Sequence, residues 1–317
     1  MSSNCKHSHT LHAVHSHCGW NNALEPALRV APGDCIEFEI VDASGGQLMP
    51  DSVADDVTKF DFSRLNPVTG PIHIDGAEPG DALAVKLLDF QPSGWGWTAI
   101  IPGFGLLADQ STEAQLHHWR YDTSCREPAM FGAGLRVPLK PFTGTIGVAP
   151  AELGLHSVVP PRTVGGNMDI RDVAAGSTLY LPVAVPGALF SVGDTHAAQG
   201  DGEVCGTAIE SPMKVALQFD LIKKTELPSP RLVTPGPVTR HLDTHGYQVT
   251  TGIGPDLWQA TRDAVRYMID WLCASPGLRA EDAYMLCSVC GDLRISEVVD
   301  QPNWIVSFYF PRAVLEG

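Results

Sequence analysis

Short runs of alternating polar and apolar residues recur through the first two thirds of the chain and constrain its fold more than any other feature. The runs 34–41 and 213–221 alternate almost strictly between the two kinds of residue. A period of two places the apolar side chains on one face of a strand, and that face has to be buried. The runs 81–90 and 178–185 repeat the pattern less strictly, and Pro182 assigns the second of them to a sheet edge or a bulge.

Turn residues separate these predicted strands. The tetrapeptides 31–34 and 78–81 both carry Pro-Gly at their central positions, which suits a type II turn because glycine accepts the positive φ that this turn requires. The 31 glycines and 25 prolines of the 317-residue chain favour many short strands over long helices. We therefore predict a mainly β fold in the form of a two-sheet β-sandwich.

The pattern changes near residue 229. The proline-rich segment 226–237 predicts a linker, because proline continues neither a strand nor a helix well. Beyond it, helical spacing in 257–272 and 280–290 predicts two helices, and 304–310 predicts a final strand. The predicted units are a polar, histidine-rich tail (1–16), a β-sandwich domain that carries the candidate site (17–228) and a small C-terminal α/β subdomain (229–317).

The composition excludes some classes of binding partner and indicates the cellular compartment. A formal net charge of −15 argues against nucleic acid and anionic membranes, since both repel an acidic surface. No apolar run approaches the roughly 20 residues that span a bilayer, and the N-terminus lacks the apolar core of a signal peptide. Eight cysteines without such a signal are expected to be reduced thiols of a cytoplasmic protein. We expect a small-molecule substrate and a homo-oligomer, a dimer or larger, in which the C-terminal subdomain covers the sandwich or forms the contact.

One glycine-broken segment, 189–210, concentrates the side chains that are capable of chemistry. Asp194 and His196 are two residues apart, so in an extended segment both side chains project to the same side. A carboxylate and an imidazole aimed at one point suit a borderline divalent metal ion. Glu203 follows a glycine turn and is placed to return as a third ligand or as a base. The alternative interpretation is a polar surface hairpin whose acids have no joint role.

The same segment resembles part of a known family. Residues 193–210, GDTHAAQGDGEVCGTAIE, are similar to the signature of the acetamidase/formamidase family. The similarity extends over nearly the whole chain from about His17, and it implies a jelly-roll-like sandwich and a hydrolase that cleaves the carbon–nitrogen bond of linear amides. The other supporting motifs are, in chain order, 44–47 (SGGQ), 76–81 (GAEPGD), 160–169 (PPRTVGGNMD) and 292–300 (DLRISEVVD).

The resemblance also implies where the chemistry lies. Two of the motifs converge at the family's active site, so Asp169 joins Asp194 and His196 as the expected ligands of a divalent metal ion, zinc first and calcium second. Glu203 is the expected general base, which takes a proton from water and passes it to the leaving nitrogen.

Three further residues are candidates for substrate contact. His17 lies in a His-x-x-Trp element similar to that of the family, and it is expected to orient the substrate or to stabilise the oxyanion. Trp97 and Phe104 lie in aromatic, glycine-rich segments of the kind that wall small-molecule pockets, with core packing as the alternative. The length of the chain fits the acetamidase-like branch, so acetamide-sized substrates are expected ahead of formamide, with lactams and other small amides open.

Other interpretations stay open. A jelly-roll sandwich often binds calcium or sugars without chemistry, but His196 is a poor calcium ligand and argues against such a non-catalytic module. Cys205 as a nucleophile would need a partner base, whereas its apolar neighbours predict a buried strand residue. Cys287 and Cys290 form a lone C-x-x-C in a predicted helix, which indicates core packing rather than a zinc or redox site.

Overall fold

The computed structural model describes residues 8–132, 134–235, 245–274, 276–299 and 301–315, and within these ranges the chain is mainly β, as predicted. Two six-stranded sheets are followed by a three-stranded sheet with two helices. None of the helices in these ranges is long and apolar enough to cross a membrane.

The first sheet contains the alternating runs that the sequence pointed out. The alternation holds in the structure, since Val215, Leu217 and Phe219 are buried while Lys214 and Asp220 between or beside them are exposed. In spatial order its strands are β1 (Ser8–Leu11), β4 (Cys35–Ile40), β15 (Met213–Ile222), β6 (Ala82–Pro92), β13 (Thr178–Pro182) and β16 (Arg231–Val233).

The second sheet carries the segment 189–210 into the interior. Its strands β11 and β14 are buried at every position, which is the burial expected of central strands covered on both faces. In spatial order the strands are β12 (Gly165–Asn167), β11 (Phe142–Val148), β14 (Phe190–His196), β5 (Val68–Ile74) and β2 (Ser16–His17), and β3 (Leu28–Val30) also pairs with β5.

The two sheets pack face to face around aromatic side chains. Phe38 and Phe219 from the first sheet meet Phe190 from the second, with ring centroids 5.9 Å and 4.9 Å from the Phe190 ring. All three rings are fully buried, and burial of each contributes about 1.5–3 kcal/mol. The predicted two-sheet sandwich is therefore confirmed.

Two hairpins and a short helix complete this part of the chain. The first hairpin lies next to the second sheet, and its strand β7 is bridged to Glu210 through Trp97. The elements are β7 (Trp95–Ile100) with β8 (Gln115–Arg120), β9 (Ala129–Phe131) with β10 (Leu135–Val137), and α1 (Ala54–Val57).

The C-terminal unit is a three-stranded sheet covered by two helices, as the change of pattern predicted. One face of α2 is buried at helical spacing, and Cys287 and Cys290 lie in the buried core of α3, so the packing interpretation of the C-x-x-C agrees with the structure. The elements are β17 (Tyr247–Gly254), α2 (Leu257–Ala274), α3 (Ala280–Cys290), β18 (Asp292–Glu297) and β19 (Trp304–Pro311).

Three details differ from the expectations. Residues 8–11 of the predicted tail form β1, because Leu11 is buried beside β4. Strand β13 is not an edge strand, but β16 pairs only with residues 178–180, and Pro182 lies beyond that pairing. Cys35 is disulfide-bonded, so the expectation that all eight cysteines are reduced is wrong at this position.

Candidate active site

Strand β14 delivers Asp194 and His196 into one buried point, as their spacing predicted. Asp194 Oδ1 lies 3.1 Å from His196 Nε2, and both side chains are almost fully buried. The backbone of Asp194 has φ 55°, in the left-handed region that residues with a side chain rarely adopt. The strand is therefore distorted at the residue that carries the first carboxylate.

Glu210 joins this pair from the chain that returns after the glycine-rich turns. Residues 196 and 210 form an isolated β-bridge, and Glu210 Oε2 lies 3.1 Å from His196 Nε2. Its other oxygen accepts a hydrogen bond of 2.8 Å from the Ala208 N–H, which fixes the carboxylate. The ligand-capable atoms of Asp194, His196 and Glu210 all lie within 4.8 Å of one another.

Asp169 and Glu203 reach His196 from other loops. Ligand-capable atoms of these three residues also lie within 4.8 Å of one another, so two possible metal triads share one imidazole. Asp169 has φ 49° and Glu203 has φ 42°, the same rare conformation as Asp194. Such backbone costs about 1–3 kcal/mol per residue and persists where the surroundings enforce it, which is typical of functional sites.

Gly144 of β11 is the floor of this cluster. A Cβ atom there would lie 2.4 Å from Asp169 Oδ1, 2.8 Å from Asp194 Oδ2 and 2.9 Å from His196 Cε1. Three of the candidate side chains therefore converge on one hydrogen-sized space, which no other residue type would leave open.

Gln199 fixes the orientation of the imidazole. Its Nε2 donates to the Asp169 carbonyl at 2.9 Å, so its Oε1 faces His196 Nδ1 at 3.0 Å as an acceptor. That contact places a proton on Nδ1, so Nε2 is the ring nitrogen that faces the carboxylates. A histidine that binds a metal ion usually donates its other ring N–H to a fixed acceptor of this kind, which holds the ring in place.

The cluster is electrostatically crowded. Desolvation, followed by the charge of Asp194, raises the pKa of Asp169 to about 7. Desolvation also raises the pKa of Glu210 to about 7 against the opposing charge of His196. Desolvation and then the charge of Asp169 raise the pKa of Glu203 well above 4.5.

Asp194 and His196 behave as the ionised pair within this group. Desolvation raises the pKa of Asp194, but the charge of His196 and the hydrogen bonds that Asp194 accepts outweigh it, so the pKa is below 3.8. Desolvation lowers the pKa of His196, but the charges of Glu210 and Asp194 outweigh it, so the pKa is well above 6.5. The described residues thus place four carboxyl groups around a single cationic side chain.

A cavity of about 110 Å³ opens beside the acids, and its polar floor is formed by Asp194, Glu203 and Glu210. Trp97 and Phe104 line it as the sequence analysis expected, Trp97 buried and Phe104 partly exposed. The apolar part of the wall consists of Ala43, Phe60, Leu65, Trp97, Ile101, Phe104 and Val159.

The wall is held by Asp42, which lies two residues before the first family-like motif. Asp42 Oδ1 accepts a 2.9 Å hydrogen bond from Trp97 Nε1 and another of 2.9 Å from the Ser44 N–H. Ser44 therefore helps to hold the carboxylate that accepts from Trp97.

Two sequence candidates, His17 and Cys205, do not join the acid cluster in the structure. The ring nitrogens of His17 contact the Gly19 carbonyl at 2.8 Å and the Ser191 hydroxyl at 3.0 Å, and His17 is not among the residues that line the cavity. Desolvation raises the pKa of the fully buried Cys205 thiol, which is the reverse of what an activated nucleophile needs. The cysteine interpretation therefore loses its physical basis.

Sequence reasoning gave less weight to the residues that complete the site. Glu210 lies in the segment already singled out, and its position fourteen residues after His196 gives no periodic signal. Gly144 carries no motif at all, since its role depends on the pairing of β11 with β14.

Comparisons with known proteins bear on this site. A family model described as the Acetamidase/Formamidase family matches residues 3–158 and 151–317. A formamidase of Methylophilus methylotrophus is 29% identical over 95% of this chain and 89% of the relative. An acetamidase of Mycolicibacterium smegmatis is 32% identical over 67% of each chain.

Two solved structures are also similar to this chain over nearly its whole length. A gamma lactamase from Delftia acidovorans has a TM-score of 0.87 and 28% identity, with 96% of this chain and 93% of that one covered. A predicted acetamidase/formamidase from Thermoanaerobacter tengcongensis has a TM-score of 0.69 and 32% identity, with 98% of each chain covered.

Proposed function

This chain belongs to the acetamidase/formamidase family and is an amidase that hydrolyses carbon–nitrogen bonds, and from that premise we propose a metal-dependent hydrolase of small aliphatic amides. The products are a carboxylate and ammonia. One observation carries the proposal, namely four carboxyl groups clustered around one oriented imidazole, three of which line a small, apolar-walled cavity.

The cavity supports a short substrate. Its volume of about 110 Å³ is well below the roughly 300–1,000 Å³ of pockets for drug-sized ligands. An apolar wall of Trp97 and Phe104 suits an alkyl group, while the acids suit the polar amide. Acetamide is the preferred substrate in this proposal, and formamide fills the cavity less well.

The donor set fits a divalent cation. Asp169 Oδ1 is buried and accepts no hydrogen bond from any residue in the described ranges, while the buried Glu210 Oε2 has an ion-pair contact of 3.1 Å with His196 Nε2. A cation placed among them would relieve the mutual repulsion of the carboxylates. We propose Asp169, Asp194 and His196 as ligands, with Glu210 beside them, and zinc ahead of calcium because of the imidazole.

The chemistry then divides between the cation and the chain. A divalent cation, when bound, supplies Lewis acidity that polarises an amide carbonyl and acidifies water. Glu203 accepts a proton from the attacking water and returns it to the amide nitrogen, so that the C–N bond breaks as ammonia leaves. Trp97 and Phe104 hold the alkyl group and exclude bulk water from the acids. One positioned acid–base group of this type contributes about 10²–10⁴-fold to the rate.

A non-catalytic metal-binding or sugar-binding module is the alternative. It would need neither a base nor a closed alkyl wall, whereas Glu203 is held in a rare backbone conformation directly beside the other acids. A homo-oligomer and a cytoplasmic location stay predictions, and light scattering checks the first of them.

A substrate screen tests the proposal. Formamide, acetamide, propionamide and benzamide are compared by released ammonia, and γ-butyrolactam is compared by the amino acid that its opening yields. The expected order places acetamide first and benzamide last, because the cavity has no room for a ring beside Trp97 and Phe104. Metal binding without turnover of any of these amides would favour the binding module instead.

A further inference from the structure

The C-terminal unit meets the sandwich where two loops carry residues of the site. We call residues 101–107 the wall loop, because it contains Phe104, and residues 197–207 the acid loop, because it contains Glu203. The backbones of these loops touch each other, since a Cβ atom at Gly105 would lie 2.7 Å from the Cys205 carbonyl oxygen. Their relative position therefore sets the distance between the wall and the base.

Tyr284 of α3 contacts both loops with one hydroxyl group. The hydroxyl donates to the Val204 carbonyl in the acid loop and accepts a 2.8 Å hydrogen bond from the Leu107 N–H in the wall loop. The Leu106 N–H donates to the same Val204 carbonyl at 2.9 Å. Tyr284 is 1% exposed, so water does not substitute for these partners.

Ser288 lies one turn further along α3 and continues the contact. Its hydroxyl accepts from the Cys205 N–H at 3.2 Å and donates to the Thr207 carbonyl at 2.6 Å. Its own backbone carbonyl accepts from the Gly200 N–H at 2.8 Å. One helix thus binds the acid loop on both sides of Glu203, through side chains after this residue and through a backbone carbonyl before it.

The glycines of the acid loop allow it to pack closely against the C-terminal unit. A Cβ atom at Gly200 would lie 1.8 Å from the Gly291 carbonyl oxygen, and one at Gly202 would lie 2.5 Å from Leu293 Cδ1. Both glycines therefore allow the backbone of the acid loop to approach the C-terminal unit closely. Next to them the Asp201 N–H donates to Asp292 Oδ1 at 3.1 Å.

We propose that Tyr284 is a positioning residue for amide hydrolysis, and that its hydroxyl holds Glu203 and Phe104 in register by tying the acid loop to the wall loop. The role rests on the proposed function, because it matters for turnover only if Glu203 is the base. Val204 follows Glu203 directly, and the strained φ of 42° at Glu203 needs outside contacts to persist. The C-terminal unit was predicted to be a cover or an oligomer contact. In this proposal it holds the two loops of the site in their relative positions.

The test is Tyr284→Phe, which keeps the ring and removes only the hydroxyl. We expect kcat on acetamide to fall about 10-fold, because a misplacement of about 1 Å costs up to about 10² in rate. Bound metal is expected to stay at the wild-type level. Hydrogen exchange should accelerate in peptides that cover residues 101–107 and 197–207, and stay unchanged in β4 and β15.

Two matched variants separate positioning from stability. Tyr267→Phe makes the same chemical change on α2, where the side chain is 46% exposed, and it should leave turnover and exchange unaltered. Cys290→Ala removes a buried thiol that donates to Leu286 of the same helix, so it lowers the Tm without releasing either loop. Turnover per folded molecule should stay at the wild-type level in both.

The outcomes are distinct. Wild-type kcat in Tyr284→Phe, or an equal fall in Cys290→Ala at the same loss of Tm, would overturn the positioning role. Unchanged exchange in both loops of Tyr284→Phe would overturn it as well. If the wild-type protein cleaves no amide, the proposed function fails, and the exchange measurement still decides whether the hydroxyl ties the loops together.

Discussion

Asp81 and Asp194 are equally buried, with 3% and 4% of their surface exposed, but only Asp194 belongs to a cluster of carboxyl groups. Asp81 lies at a turn before β6, where it pairs with Lys223 and accepts hydrogen bonds from the N–H groups of Glu78 and Lys224. Asp194 faces Glu210 and Asp169, and it shares one imidazole with them. The first carboxylate is satisfied by a cation and two N–H donors, while the second accepts from Thr145 and pairs with His196 but also lies against other carboxylates.

The difference shows what burial of an acid means in this fold. A buried carboxylate with a full set of donors stabilises a turn, and its oxygens are no longer available to bind a ligand. Buried carboxylates that face one another destabilise the chain until protons or a cation come between them. Only the second arrangement has unused capacity for chemistry, and it coincides with the strained backbone at Asp169, Asp194 and Glu203.

Glu203→Gln sharpens the comparison most strongly. The change keeps the size of the side chain and removes the base, so we expect kcat on acetamide to fall by about 10²-fold or more with bound metal retained. Glu25→Gln, at an exposed position, is the control and should be silent. Loss of metal along with activity would make Glu203 a ligand, and the base would then have to be sought at Glu210 or Asp201.

Gly144→Ala tests whether the acids truly converge. A methyl group there would collide with Asp169 Oδ1 and Asp194 Oδ2, so the carboxylates have to move apart. We expect metal affinity, measured by chelator competition, to fall about 10–100-fold, as for other changes behind metal ligands. Gly254→Ala adds the same methyl group in open space and should leave affinity unchanged. Unaltered affinity in Gly144→Ala would mean that the ion does not lie beside this floor.

Asp81→Asn tests the other half of the comparison and should affect stability only. Desolvation raises the pKa of Asp81, but the hydrogen bond from Lys223 and those from the two N–H groups outweigh it, so the pKa lies below 3.8. The stabilisation is therefore present above the ordinary pKa and is lost as pH falls through the lowered value.

The variant should consequently have a lower Tm than wild type near neutral pH, and the difference should shrink below about pH 4. Turnover per folded molecule should not change, since Asp81 lies outside the cavity lining. A fall in kcat at full metal content would contradict the division into structural and functional acids.

Much of this arrangement follows from local sequence rules. The alternation in β4 and β15 predicted the sandwich, because a period of two leaves only one face to bury. The two-residue spacing predicted that Asp194 and His196 meet. The helical spacing of α2 and α3 likewise predicted the C-terminal unit, and the structure places these helices over 257–274 and 280–290.

The remaining features depend on contacts between distant segments. Gly144 becomes the floor of the site only because β11 pairs with β14, and Tyr284 reaches the acid loop across 80 residues of chain. The conformation of Glu203 is imposed by such contacts, since no rule of local propensity places glutamate at a positive φ. Sequence patterns therefore identify the acid-bearing segment, and tertiary pairing decides which acids meet.

The central claim is that the crowded acids hold a catalytic cation. The most direct measurement is elemental analysis of chelator-washed, tag-free protein, with acetamide turnover followed while the metal is removed and then restored. We expect about one tightly held equivalent of zinc per chain. Acetamide turnover should fall as the zinc is removed and recover in proportion to the zinc restored. Turnover that survives complete removal of the metal would contradict the claim.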